Sequence, residues 1–270
     1  CRRRAPENLL THSNIMNTPY WIQHYEANTR LNDTMKLPAE PCVLPEAVRA
    51  PIAHSLAVFQ LGESGGGTRL KRYAKVIAPL TQFTGYQRAI DLFIAEEQSH
   101  AALLGRLIAH LKQPPLQKQW TNSIFRWARN LVNLEFNIQI LLTAELVAEV
   151  YFGLLYLRCA DPAVKQVSHK LLRDEMKHLE FQRQFLAERL QEFSPALRRL
   201  WCVQFRLIHR FVAGVVSLDH RDCFQAIDVS PAAFRNRCTQ SLERFMDRLE
   251  TKITQTPHHP VPGKAAAAAS

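Results

Sequence analysis

The stretch IDLFIAEEQSHAALLGRLI, residues 90–108, decides the fold of this chain. Its apolar residues recur at three- and four-residue steps, which is the spacing of one face of an α-helix. Glu97 and His100 fall on that same face, and a carboxylate and an imidazole three residues apart on a helix can reach one ion. The pattern therefore predicts a buried helix that carries two metal-ligating side chains.

A second stretch repeats this arrangement. Residues 164–186, VKQVSHKLLRDEMKHLEFQRQFL, place Glu175 and His178 within another apolar helical stripe. Glu-x-x-His pairs also arise by chance, so the two pairs alone are a weak signal. Their position inside two apolar stripes makes the signal informative, because both polar residues of each pair then face the protein interior.

The helix before each pair supplies one more inward-facing acid. Glu63 follows Leu56 and Phe59 in one apolar stripe, and Glu145 follows Ile138 in the other. Buried carboxylates cost several kcal/mol or stay protonated unless a cation compensates them. We therefore expect two divalent metal ions held by Glu63, Glu97, His100, Glu145, Glu175 and His178.

This order of residues resembles the ferritin-like di-iron carboxylate superfamily, in which Glu and Glu-x-x-His alternate on four successive helices. The resemblance covers roughly residues 50–190. It implies an all-α, ferritin-like four-helix bundle with a crossover connection between its second and third helices. It also implies a site for two iron ions, with manganese as the other option.

Two shorter likenesses refine this expectation. Residues 173–178 resemble the fourth-helix motif of the ribonucleotide reductase small subunit, which implies that Asp174 hydrogen-bonds a metal-bound imidazole, that of His100. The start Phe-Gln-Leu-Gly-Glu at residues 59–63 is similar to that of uncharacterised bacterial ferritin-like proteins, which implies no particular reaction. Glu149 lies one helical turn after Glu145, and it is either an additional ligand or a polar residue on the flank.

Two sequence differences from better-known di-iron families reduce the number of functions that fit this chain. The reductase subunit carries a radical tyrosine four residues after its histidine ligand, whereas this chain has Leu104. Rubrerythrins add paired Cys-x-x-Cys motifs, which the six scattered cysteines do not form, so we expect an external electron donor. Unpaired cysteines, with no apolar run long enough for a membrane span, favour a cytoplasmic protein without membrane contact.

Four segments are expected along the chain. Residues 1–48 form an N-terminal arm, in which 1–15 are interpreted as irregular sequence before a natural start at Met16. The bundle occupies 49–194, with helices expected at 49–78, 84–112 and 131–159 and from Asp161 onward. Glycines near Glu63 weaken the first of these helices. A short helix is expected at 120–129, flanking or dimer-forming helices at 195–254, and a disordered tail at 255–270.

The net charge of +10 is compatible with solubility alone, and an acidic or nucleic-acid partner is the alternative. The sequence favours a di-iron oxidoreductase that activates O2, oxygenase-like on an unidentified small substrate, and a homodimer is one possible assembly. Three alternatives stay open. They are a ferroxidase or peroxide-scavenging iron-handling protein, a di-iron hydroxylase acting on RNA, and a helical interaction module without turnover.

Overall fold

The computed structural model describes residues 16–64, 67–77, 85–114, 116 and 134–255. All regular structure in these ranges is α-helical, which confirms the all-α class. The helices are α1 (Thr18–Thr34), α2 (Glu46–Glu63), α3 (Thr68–Ile77), α4 (Tyr86–His110), α5 (Leu134–Arg158), α6 (Pro162–Gln191), α7 (Pro195–Asp219), α8 (Arg221–Ala226) and α9 (Pro231–Gln255).

The four helices that carry the predicted ligands pack against one another. Helix α5 packs along α6, α2 packs along α4, and α4 contacts α6. Asp161 begins α6 by accepting hydrogen bonds from the first two free backbone N–H groups, those of Ala163 and Val164, and Pro162 occupies the first helical position. The predicted crossover between α4 and α5, and the predicted short helix at 120–129, lie outside the described residues.

The first bundle helix differs from the prediction, because the single helix expected at 49–78 is two helices. Helix α2 ends at Glu63, and α3 begins at Thr68. Gly67, just before α3, has a φ of +57°, which side chains with a Cβ rarely adopt. A Cβ there would lie 2.4 Å from Ile94 Cδ1 of α4. The left-handed φ and the close approach to Ile94 together favour glycine at this position.

The expected N-terminal arm contains α1, which packs along α4. Its Trp21 and Tyr25 are fully buried, and Tyr25 stacks edge-on against Phe181 of α6 with ring centroids 5.5 Å apart. Aromatic side chains bury the largest apolar areas, so this contact contributes strongly to the packing. Helix α1 is therefore part of the hydrophobic core that surrounds the ligand-bearing helices.

The C-terminal helices flank the bundle. Helix α9 packs on α5, α6 and α7, and α7 packs on α5. The outward face of α7 exposes Leu200, Val203, Leu207 and Phe211. The homodimer expected from this apolar stripe stays a prediction.

One described helix is long and apolar enough to span a membrane by composition alone. It runs over Ile138–Arg158 within α5, with a mean hydropathy of 1.7, and 67% of that window is buried inside the protein. The segment also carries Glu145 and Glu149. Packing against α6, α7 and α9 therefore accounts for its apolar composition.

Candidate metal centre

The structure brings the six predicted ligand residues together in two groups that share Glu97. In the first group, potential ligand atoms of Glu97, Glu145, Glu175 and His178 all lie within 4.8 Å of one another. In the second, those of Glu63, Glu97 and His100 meet the same limit. A carboxylate common to two ligand groups would be placed to serve two neighbouring cations.

Four of the six ligand residues are deeply buried, and Glu63 and Glu97 are partly buried. Glu145, Glu175, His100 and His178 are at most 3% exposed. His100 Nδ1 is buried and has no hydrogen-bond partner in the described part of the chain, and Glu97 Oε1 makes only ionic contacts, with His178 Nδ1 at 3.1 Å and His100 Nδ1 at 3.8 Å. Buried polar atoms are normally paired, so an unpaired imidazole nitrogen beside a carboxylate oxygen indicates a partner that is not a protein group. A cation ligated by both atoms would provide it, and the residues therefore fit a metal.

Each imidazole points one nitrogen at the ligand groups and the other at a second carboxylate. His178 Nδ1 lies 3.0 Å from Glu145 Oε2, and its Nε2 lies 2.7 Å from Glu96 Oε2. His100 Nε2 lies 2.9 Å from Asp174 Oδ2. A carboxylate that accepts the outer N–H fixes the tautomer and leaves the inner nitrogen free to bind a metal.

Asp174 therefore contacts His100 as the reductase likeness implies. The equivalent partner of His178 is Glu96, which was not among the predicted residues although it is fully buried. Each acid directly precedes the ligand Glu of its own helix and contacts the imidazole of the other helix. The repeated order acid, Glu, x, x, His was the signal in the sequence that points to Glu96.

Asn28 of α1 contacts both carboxylates that accept hydrogen bonds from the imidazoles. The Asn28 Nδ2 group donates to Glu96 and, at 2.8 Å, to Asp174 Oδ1. Lys170 Nζ donates to Asn28 Oδ1 at 2.9 Å and also contacts Asp174. The two carboxylates that orient the imidazoles are thus held by one amide and one ammonium group.

Burial and mutual repulsion shift the pKa values of the ligand carboxyls. Burial, reinforced by Glu63, raises the pKa of Glu97 well above its ordinary value, and burial with Glu145 does the same for Glu175. Protons thus neutralise part of the negative charge when no metal does. A divalent ion that binds here must displace these protons.

Three other groups at or beside the centre favour their charged forms. Burial opposes charge on His178, but Glu145 and Glu97 raise its pKa well above the ordinary value. Burial likewise opposes charge on Glu145, but His178 lowers the pKa of that carboxyl. Hydrogen bonds and charge from His100 and Lys170 overcome burial and depress the pKa of Asp174. Asp174 is therefore a permanent anion beside His100.

Glu149 lies apart from both ligand groups. Its carboxylate accepts a hydrogen bond from Ser241 Oγ of α9 and lies 4.0 Å from Arg244. It faces a second, basic cavity together with Arg173 and Arg183. The structure therefore places Glu149 on the flank of α5.

A cavity of about 200 Å³ adjoins the ligand groups and contains Glu63, Glu97, Glu145 and Glu175 in its wall. The rest of the wall is mainly apolar and includes Phe59, Ile140, Val147, Ala148, Val212 and Val216. We call this cavity the apolar chamber. A largely apolar wall with a few polar groups is typical of sites for small organic molecules.

Three side chains form a hydrogen-bonded network beside the part of the apolar chamber that is distant from Glu63. Ser55 Oγ lies 2.6 Å from the Tyr151 hydroxyl and 2.7 Å from His220 Nδ1, and His220 lines the chamber. Burial lowers the pKa of His220 to about 4, so its imidazole is neutral at pH 7. Ser55 and Glu63 are eight residues apart on α2, or about 12 Å at 1.5 Å per residue.

Comparison of the chain with protein-family models, with curated proteins and with solved structures found no match. The buried carboxylate and imidazole groups are therefore the basis for assigning a function, and they are compatible with a bound metal ion.

Proposed function

We propose that this chain is a di-iron carboxylate oxidoreductase that activates O2 and oxidises a small, largely apolar organic molecule. The observation that carries the proposal is the apolar chamber, whose wall includes four of the proposed ligand carboxylates. A substrate in this chamber would lie beside the metal ions. The proposed partners are O2, this substrate and an external electron donor.

The ligand types support iron or manganese at this centre. Glu63, Glu97 and His100 would hold one ion, and Glu97, Glu145, Glu175 and His178 the other. Carboxylates suit manganese and imidazoles suit iron, and neither group contains a thiolate that would favour softer metals. When bound, an Fe(II) pair supplies the electrons for the first reduction of O2.

The residues around the ligands have roles that do not depend on the metal's chemistry. Glu96 and Asp174 accept the outer N–H groups of the imidazoles and keep both rings in position. Asn28 and Lys170 hold these two acids in turn. Ligands fixed in this way need little rearrangement when a metal binds, which favours tight and specific binding.

The apolar chamber distinguishes the proposal from iron storage or peroxide removal. Iron and peroxide are small and polar, so neither requires an apolar compartment of this volume beside the ligands. Val212 and Val216 of α7 form part of the chamber wall, so a C-terminal helix contributes side chains to the proposed substrate site. An apolar wall also excludes water from a bound substrate.

A labelling experiment tests the proposal. The protein is freed of metal, loaded anaerobically with Fe(II) and mixed with ¹⁸O2, a reductant and a panel of small apolar compounds. We expect O2 consumption and ¹⁸O in a product. Ala144→Phe should reduce product formation because residue 144 lines the chamber at its solvent-exposed edge, whereas Leu157→Phe, at an exposed position of α5 outside the chamber wall, should not.

Iron binding and O2 consumption by the Ala144→Phe variant serve as the check that the centre is intact. Accumulation of Fe(III) without labelled product, unaffected by Ala144→Phe, would favour an iron-handling protein. Absence of any O2 consumption by the iron-loaded protein would contradict an oxidoreductase altogether.

A further inference from the structure

Three side chains that commonly bind metals meet at a place distinct from the di-metal centre. Cys42 lies in the loop between α1 and α2, His110 is the last residue of α4, and Asp161 begins α6. Potential ligand atoms of all three lie within 4.8 Å of one another. A thiol, an imidazole and a carboxylate from three separate segments thus converge on one point.

The histidine of this group has a nitrogen that the described residues leave unsatisfied. His110 Nε2 is buried and makes no hydrogen bond there, and it lies 3.6 Å from Asp161 Oδ1. Tetrahedral zinc with bonds near 2.1 Å separates its N and O ligands by about 3.4 Å. The observed separation therefore nearly equals that of two ligands on one zinc ion.

The carboxylate of the group is fixed in place and charged. Asp161 Oδ1 accepts from the backbone N–H groups of Ala163 and Val164, and Oδ2 accepts from that of Val43 at 3.1 Å. Burial opposes the charge, but these hydrogen bonds lower the pKa of Asp161. The segment that carries Cys42 is thereby held against the start of α6.

Cys42 is half-buried, and its thiol donates to the Asp161 carboxylate and accepts from the backbone N–H of Leu44. Burial, together with the Asp161 charge, raises the pKa of this thiol, so Cys42 carries a proton when no cation is present. A metal ion would replace that proton, since only the thiolate binds a metal. The Leu44 N–H group would then donate to the sulfur of the bound thiolate.

We propose that Cys42, His110 and Asp161 bind one Zn(II) ion, with water in the fourth position. The donor set of sulfur, nitrogen and oxygen suits zinc, whereas the di-metal centre has only nitrogen and oxygen donors. The ion would join the loop before α2 to the end of α4 and the start of α6. The proposal does not depend on the function of the di-metal centre.

Cobalt substitution tests the proposal, because a thiolate bound to Co(II) gives a charge-transfer absorption that carboxylate and imidazole ligands do not. Metal-free protein is titrated with Co(II) and then with Zn(II). We expect a thiolate charge-transfer band that saturates as Co(II) is added and that Zn(II) abolishes. Cys42→Ser should remove the band, and Cys202→Ser, a half-buried cysteine on α7, should leave it. A missing band in the native chain, or one that survives Cys42→Ser, would overturn the proposal.

A second measurement uses the unaltered chain, in case the Cys42→Ser variant does not fold. Alkylation of each cysteine by iodoacetamide is followed by peptide mass spectrometry with and without Zn(II). We expect Zn(II) to slow the alkylation of Cys42 at least tenfold and to leave Cys202 unchanged. Equal rates for Cys42 in both conditions would refute zinc binding at this place.

Discussion

At the scale of single residues, two buried carboxylates that are not among the proposed ligands contact the imidazoles of the candidate centre. Glu96 and Asp174 each accept a hydrogen bond from an imidazole that we propose as a metal ligand, and Asn28 donates to both acids. Such outer partners set the ring orientation and the basicity of the ligand nitrogen. Changing them typically weakens metal binding by about 10- to 100-fold.

We therefore predict that Glu96→Gln and Asp174→Asn each weaken Fe(II) or Mn(II) binding by about tenfold or more. The amides keep the size of the acids but remove the negative charge that supports the imidazole. Calorimetric titration of metal-free protein measures the affinity. Glu180→Gln on α6 is the control, because Glu180 pairs with Lys177 near the surface. Unchanged affinity in both variants would show that these acids do not support metal ligands.

His209 supplies a second prediction at this scale. It is fully buried on α7, neither ring nitrogen has a hydrogen-bond partner in the described part of the chain, and burial lowers its pKa to about 4. Between pH 6.5 and 4 the unfolded chain binds this proton and the folded chain does not, so stability falls as pH falls. At pH 5 the loss from this group is about 2 kcal/mol.

His209→Leu should remove that part of the pH dependence. We expect the variant to lose less stability than the native chain between pH 7 and pH 5, as measured by urea unfolding of metal-free protein. His169→Leu, at an exposed position on α6, should follow the native chain. If the His209→Leu and native chains lose equal stability, His209 is not a buried neutral imidazole.

At the scale of elements, the junction between α2 and α3 places Glu63 at the end of its helix. Gly67 permits the junction because it adopts a left-handed φ and lets the backbone approach Ile94. We predict that Gly67→Ala destabilises the protein by about 1–2 kcal/mol or more from the backbone alone, with the contact to Ile94 adding to it.

Gly105→Ala is the matched control for this glycine. Gly105 lies inside α4, and an added Cβ there meets no atom within 4 Å. Alanine should therefore stabilise the helix, by about 0.5–1 kcal/mol. Thermal unfolding of both variants checks the pair. Equal effects of the two substitutions would contradict the role assigned to Gly67.

Helical periodicity explains which parts of this architecture could be predicted from the sequence. Glu97 and His100 share a face with the apolar residues of α4, so their inward direction follows from spacing. Glu96 is adjacent to Glu97 in sequence and points along a different direction, and only the packing of α1 and α6 against α4 buries it. The division of the expected first helix into α2 and α3 near Gly67 likewise depends on the packing against Ile94, which lies on another helix. The packing of α1 in the core depends on contacts between residues that are far apart in the sequence.

At the scale of the whole molecule, metal binding and protonation are linked. Without metal, the raised pKa values of Glu97, Glu175 and His178 keep protons at the centre. Each metal that binds must release some of them, so affinity should fall as pH falls. Titration with Mn(II) in a weakly buffered solution should release protons, and the native chain should bind more tightly at pH 8 than at pH 6. No proton release would contradict this protonation of the metal-free centre.

The most direct test of the central claim is an anomalous difference map from crystals of the Fe(II)-loaded protein, measured at the iron absorption edge. We predict two peaks per chain between α2, α4, α5 and α6, one beside Glu63, Glu97 and His100 and one beside Glu97, Glu145, Glu175 and His178. Crystals of Glu97→Ala should lose at least one of them. A map without a peak at these residues would contradict the assignment of a di-metal centre.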